Sequence, residues 1–425
     1  MTNKQHIRIY SLRNWVVILL MLTAVFSCSK KVETVQITPA TGLIQMSPSI
    51  GTTGTIINIS GSNFPATAGI TVTVNGVATP VIYSTANQIQ VAVKPNTGSG
   101  NVLVTFGGNT YNAGRFEYRY TNYTLATISS GNAVYADGPL ATAGFPFLYG
   151  ITIDGSNNIY SATGNRLRKI DMNVTARTVT TVAGSGVSGD VDGTGAGASF
   201  GSVRQLSSSA NGTVYIADRT FRKIKKIDPT GVLTTFAALN YIDAAGNPTG
   251  ATFVPEGIKV AKSGNVYVTG SNVIQKFNPS GVLQWEIKSH GTGNTDGDSA
   301  AVKFKTGNGI EIDSAETKLY FLHQPTANPY PTYLKVLNLS KLSTSTLITT
   351  NIQWVTSMVL DENGGLYLAD YFGYIWYYNT SKVLTLVKGN SDGISGAWGI
   401  VRDKSGNIVF TDNDYNVFMY LTRVQ

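Results

Sequence analysis

The feature that most constrains this chain is a unit written six times between residues 121 and 425. Each copy has an apolar strand, a tight turn, and a second strand with an aromatic or valine at one fixed place. The copies are Gly150-Ile-Thr-Ile-Asp154 with Asn158-Ile-Tyr160, Gln205-Leu206 with Thr213-Val-Tyr215, and Gly257-Ile-Lys-Val260 with Asn265-Val-Tyr267. Then come Gly309-Ile-Glu-Ile-Asp313 with Lys318-Leu-Tyr320, Met358-Val-Leu-Asp361 with Gly365-Leu-Tyr367, and Gly399-Ile-Val-Arg-Asp403 with Asn407-Ile-Val409. The fixed markers are 55, 52, 53, 47 and 42 residues apart. One such unit cannot bury its own apolar faces, so neighbouring copies must pack on one another.

A third strand follows each pair, as in Arg166-Leu-Arg-Lys-Ile-Asp171 and Phe221-Arg-Lys-Ile-Lys-Lys-Ile-Asp228. A fourth follows that, as in Thr178-Val-Thr-Thr-Val-Ala-Gly184 and Val383-Leu-Thr-Leu-Val387. Four strands at this period predict the blades of a β-propeller. Between copies, a turn leads to an aromatic: Asp137-Gly138 to Phe145, Asp192-Gly193 to Phe200, Asp296-Gly297 to Phe304, Asp392-Gly393 to Trp398. These features resemble NHL repeats, most closely in the first two copies, and the resemblance implies a six-bladed NHL-type propeller over 121–425. The sixth copy stops after its third strand, Asn416-Val-Phe-Met-Tyr-Leu421, while Tyr123-Thr-Leu-Ala-Thr-Ile128 reads as an unattached fourth strand. Residues 123–131 are therefore expected to complete the last blade and leave no open edge.

Composition agrees with strands throughout. Only 13% of residues are charged, there are 45 glycines, and no stretch after residue 27 keeps a helical period. The class is all-β. Ahead of the repeats, residues 37–120 carry short alternating strands with Pro39, Gly42, Gly54-Thr55, Gly61-Ser62-Asn63-Phe64, a hairpin signal at Asn75-Gly76, and Phe116-Glu117-Tyr118. These marks resemble the IPT/TIG family of immunoglobulin-like domains. That resemblance implies a small sandwich serving as spacer or docking module, with no catalytic residue to carry over.

Residues 1–27 read as a signal peptide: Lys4, Arg8 and Arg13 precede an apolar run from Trp15 to Phe26, too short for a comfortable membrane span. The run ends in Val25-Phe26-Ser27-Cys28, which resembles the lipobox of bacterial lipoproteins and implies lipidation of Cys28. Residues 28–36 are then a lipidated tether, and the expected address is the outer membrane, on its periplasmic or cell-surface face. Cys28 is the single cysteine, so intrachain disulfides and cysteine zinc sites are excluded. Removing the leader lowers the net charge from +8 to +5, too mild for a nucleic-acid footprint.

No reaction is singled out. Asp190-x-Asp192-Gly193 and Asp296-Gly297-Asp298 lack the spaced acids and late Glu of a calcium loop, so they read as turns. Asp218, Asp370 and Asp412 stand where the chain turns toward a third strand and read as backbone caps. The stripes Arg166/Arg168/Lys169 and Arg222/Lys223/Lys225/Lys226 are expected to form a solvated strand face. Only His290 and His323 remain after the leader, in different copies, so one central zinc could not collect three histidines. No catalytic residue, metal or cofactor is assigned. The aromatic cluster in the later copies supplies the candidate ligand-binding residues Tyr330, Tyr333, Tyr371, Phe372 and Trp376, since exposed rings stack on sugars. The expected function is a non-catalytic binding or scaffolding module with a carbohydrate or protein partner. The alternatives are a propeller lyase or lactonase-like hydrolase using channel carboxylates or a metal, or a surface adhesin.

Overall fold

The computed structural model describes residues 44–65, 69–94, 97–118, 122–291, 293–325, 331–348 and 352–424. Cys28 with its leader and tether, and Tyr330, lie outside the described residues. The first domain is a sandwich. One sheet is ordered Gln45–Ser47, Ile56–Ser60, Gln88–Ala92, Val81–Ser84; the other is Ile50–Gly51, Asn109–Tyr118, Gly100–Phe106, Thr71–Val74, Val77–Thr79. Period-2 alternation turns Ile57, Ile59, Val72, Val74, Ile89, Val91, Val102 and Val104 into one shared core, with Phe64 and Phe116 filling it. Asn75 and Gly76 have φ of 52° and 79°. Two left-handed residues make a hairpin turn whose twist matches the strands on either side.

From residue 122 onward the described residues form six antiparallel sheets of four or five strands and a separate two-stranded hairpin, Asn240–Ile242 with Pro248–Thr252, the architecture of a propeller. The first runs outward from Ile151–Ile153 through Asn158–Thr163 and Arg166–Asp171 to Thr178–Ala183. The inner strands of the second to sixth sheets are Val203–Ser208, Gly257–Val260, Thr306–Ile312, Val355–Leu360 and Ala397–Arg402. Each inner strand touches the next in that order, and the last touches the first. Apolar clusters fill the spaces between consecutive sheets. Leu167, Phe200, Leu206 and Ile216 lie between the first two, and Phe145, Ile159, Val409 and Phe418 between the sixth and the first. In the sixth sheet, Asn122–Thr127 pairs antiparallel with Val417–Val424, setting Leu125 opposite Leu421.

One member of each basic stripe, Arg168 and Lys225, departs from the solvated face expected of it, while Arg222 is exposed. The side chains of Arg168, Lys225 and Lys335 are all 0% exposed. Each occupies the third-strand position opposite the residue after the marker: Arg168 faces Ser161, Lys225 faces Ile216, Lys335 faces Phe321. That position falls on the strand face turned toward the neighbouring sheet. The counter-charge comes from the Asp-Gly turn. Arg168 meets Asp137 at 2.6 Å, Lys225 meets Asp192 at 3.1 Å and Asp190 at 2.7 Å, and Lys335 meets Asp296 at 2.6 Å. The same carboxylates accept the backbone N–H of Thr181, Thr235 and Thr346 on the outer strand. Where no Asp-Gly turn precedes, as in the third sheet, the position holds neutral Gln275, bonded to the Asn240 carbonyl and to Glu286 at 2.6 Å.

Candidate functional site

The inner strands start close to the ring axis, so the residues near their starts face one another around one mouth. These residues are Tyr149, Arg204, Glu256, Asn308, Thr356 and Trp398. Neighbouring strands approach so closely here that a Cβ at Gly399 would lie 2.6 Å from the Tyr149 carbonyl oxygen, and one at Gly150 would strike that of Arg204. The Gln205 side-chain amide donates to the Thr356 carbonyl at 3.3 Å, from the second sheet to the fifth. In a ring of six those sheets stand opposite each other, so this bond crosses the axis and separates the two mouths.

Beyond that bond lies a cavity of about 740 Å³, lined by all six inner strands. Its three carboxylates are Asp154, Glu311 and Asp403, and each is engaged. Asp154 accepts the N–H groups of Ser156 and Asn158 and the Tyr160 hydroxyl at 2.8–3.0 Å. Asp403 accepts Asn407 N–H and the Tyr420 hydroxyl, and Glu311 pairs with Lys259 at 2.7 Å. Here the acids close turns and pair strands.

The other mouth is aromatic. Tyr371 stacks on Trp354 at 4.8 Å and 28°, and it meets Phe372 at 5.5 Å and Trp398 at 5.9 Å edge to face. Trp398 in turn meets Tyr149 at 5.1 Å. Tyr371 and Phe372 are 36% and 41% exposed. Beside them a groove of about 460 Å³ is lined by Gln353, Asp370, Tyr371, Phe372, Trp376 and Asn390 among others. Burial pushes the Asp370 carboxyl up to about 6, although it accepts Trp376 Nε1–H at 2.8 Å and the N–H groups of Tyr374 and Phe372 at 3.0 Å. It thereby holds the ring-bearing loop in shape, and Asp218 and Asp412 cap the equivalent loops through backbone N–H groups. Two bulky residues at this mouth, Trp354 and Phe147, sit in left-handed backbone with φ of 45° and 59°. Such strain persists only where surrounding packing imposes it, and it clusters at functional sites.

Of the residues singled out by sequence, Tyr371, Phe372 and Trp376 line this one groove. Tyr333 lies apart from them, stacked on His323 in the fourth sheet at 5.4 Å. Burial lowers the His323 pKa to about 4, so the ring is neutral at pH 7, and its Nδ1 accepts the Lys305 N–H at 2.8 Å. Among the described residues no group of three or more His, Cys, Asp or Glu is placed to hold a metal ion. Sequence reading missed Tyr149, Arg204, Trp354 and Trp398. For Tyr149, Arg204 and Trp398 the available signal was their shared place, one residue ahead of each inner strand's apolar core.

Residues 43–120 match the description IPT/TIG domain. No curated protein matches the chain. Among solved structures, a Bacteroides thetaiotaomicron protein of unknown function is 15% identical, with 91% of this chain and 98% of that chain covered and a TM-score of 0.57. An auxiliary nutrient binding protein from Bacteroides ovatus is 14% identical, with 90% and 98% covered and a TM-score of 0.50. A gluconolactonase from Xanthomonas campestris is 13% identical, with 71% and 90% covered and a TM-score of 0.49. At such identities the likeness to the two Bacteroides proteins shows the fold alone, an immunoglobulin-like domain followed by a propeller.

Proposed function

We propose that this chain is an exported binding lipoprotein, tethered to the outer membrane through Cys28, whose propeller presents its aromatic mouth to a carbohydrate. The single observation that carries the reading is the contiguous set of rings Tyr149, Trp398, Tyr371, Trp354 and Phe372, drawn from the first, fifth and sixth sheets. Ring faces bury the C–H faces of sugars, and a two-torsion side chain loses little entropy in doing so. The immunoglobulin-like domain then acts as a spacer. The Bacteroides ovatus neighbour is described as an auxiliary nutrient binding protein, which accords with a binding role. The alternative of a channel hydrolase or lyase has less support, because the carboxylates around the deep cavity are already engaged by the repeat's own turns.

The test is a glycan array with the full chain purified in detergent, followed by calorimetry on any hit. Tyr371→Ala and Phe372→Ala are each expected to weaken binding about tenfold, the loss of one stacked ring, with unchanged melting because both side chains are partly exposed. Binding by both variants at parental affinity would overturn the reading.

A further inference from the structure

We infer that this mouth selects acidic saccharides: Arg204, beside the Trp398 ring, receives the carboxylate or sulfate ester of a sugar chain lying on the Tyr371 platform. The inference rests on the carbohydrate reading above and names the class of sugar.

Arg204 is half-buried, and its guanidinium lies 5.9 Å from the centroid of the Trp398 ring. Among the described residues no acceptor takes a hydrogen bond from it and no carboxylate pairs with it. The nearby carboxylate, Glu256, is already paired with Arg219. The charged side chains acting on Arg204 are thus Arg219 and Glu256, while Asp370 and Asp414 line the Tyr371 groove. Burial disfavours the charged form of Arg204, and the Arg219 charge adds to that, outweighing the help of Glu256 and Tyr149, so its pKa lies below the usual arginine value. A partly desolvated cation without a counter-ion is unfavourable alone and is relieved by a bound anion.

The neighbouring donor points to the same chemistry. Trp398 is 8% exposed, and its Nε1–H is buried with no partner among the described residues. A buried donor left unpaired costs free energy that an acceptor on a ligand recovers. Indole N–H and guanidinium are donors only, so the ligand group must accept, and a carboxylate or sulfate adds to that the negative charge that a sugar hydroxyl lacks. Continuity with the aromatic surface is direct, since Trp398 touches Tyr371 on one side and Tyr149 on the other. A planar fork at Arg204 also suits two-oxygen recognition.

The experiment measures the affinity of the full chain in detergent for oligogalacturonate, chondroitin sulfate oligomers and neutral galactan oligomers of matched length. One acidic series is expected to bind about tenfold to hundredfold tighter than the neutral one, the worth of hydrogen bonds to a charged group, and to identify carboxylate or sulfate as the source. Arg204→Gln should collapse that ratio toward one, and Arg204→Lys should restore part of it. Arg222→Gln, which removes an equal charge from the exposed strand end bonded to Thr252, should leave the ratio unchanged. Equal affinity for acidic and neutral chains, or a preference that survives Arg204→Gln, would overturn the inference while leaving the carbohydrate reading in place. A separate arm asks whether free galacturonate or inorganic sulfate protects Arg204 from phenylglyoxal, read by mass spectrometry. Protection without any oligosaccharide binding sinks the carbohydrate reading and keeps the anion site; absence of both protection and preference sinks the anion site.

Discussion

Replacing Phe418 by alanine is expected to lower the unfolding free energy by about 3–5 kcal/mol, read as a fall in the urea midpoint at unchanged slope. Phe418 is 0% exposed and stands in the third strand of the sixth sheet. Its ring meets Phe145 edge to face at 5.0 Å, which joins the sixth sheet to the first. Its backbone joins the first and last segments of the propeller: the Phe418 carbonyl accepts the Ile128 N–H at 2.9 Å, and its own N–H reaches the Ser129 hydroxyl at 2.8 Å. The truncation therefore opens a void at the seam where the ring closes, and close-packed interiors relax only partly around such a void. Leu386→Ala, at a side chain that is 48% exposed, is the control and should change stability by less than about 0.5 kcal/mol. A Phe418 cost near the control's would mean that the seam contributes little.

Asp296→Ala should cost about 3 kcal/mol, because it leaves the Lys335 ammonium buried without its carboxylate. Lys335→Met is expected to cost less, since Asp296 is 42% exposed and can be hydrated once its partner is gone. The order of the two losses checks which member of the pair carries the burden. The pH dependence follows from the direction of the shift. Partial burial raises the Asp296 pKa, but hydrogen bonds from Lys335 and from Thr346 outweigh it and hold the carboxyl below its ordinary value. A folded-state pKa below the unfolded one gives stability that is present above about pH 4 and lost as pH falls through the folded value. Asp192 follows the same direction with Lys225 and Thr235. Denaturant titrations at neutral pH and below about pH 3 should show a shallower acid loss in Asp296→Ala than in the parent. Parallel acid limbs would refute the assignment.

Much of the architecture was legible because it is written in short-range pattern. Alternation in Thr71-Val-Thr-Val74 reports a strand with one buried face, and Asn75-Gly76 reports its own turn through the φ values it tolerates. Three of the aromatic candidates, Tyr371, Phe372 and Trp376, are near neighbours in the chain, so their grouping in one groove required only a loop. Tyr333 was grouped with them on composition, yet its partner is His323, across a strand pair that composition does not reveal.

The buried cations show the opposite case. A lysine in a strand is ordinarily solvated, so the repeat alone argued for an exposed stripe at Lys225. The decision lay with Asp190 and Asp192, more than thirty positions earlier, which the propeller sets over that lysine. The sequence by itself determined the all-β class, the repeating unit and the turns, since each depends on contacts between near neighbours. Tertiary structure alone decided which charges are buried, and it alone brought Tyr149, Arg204 and Trp398 to one mouth. Residues in the first, second and sixth sheets meet only when the ring closes, and a contact made by closure leaves no local periodicity to read.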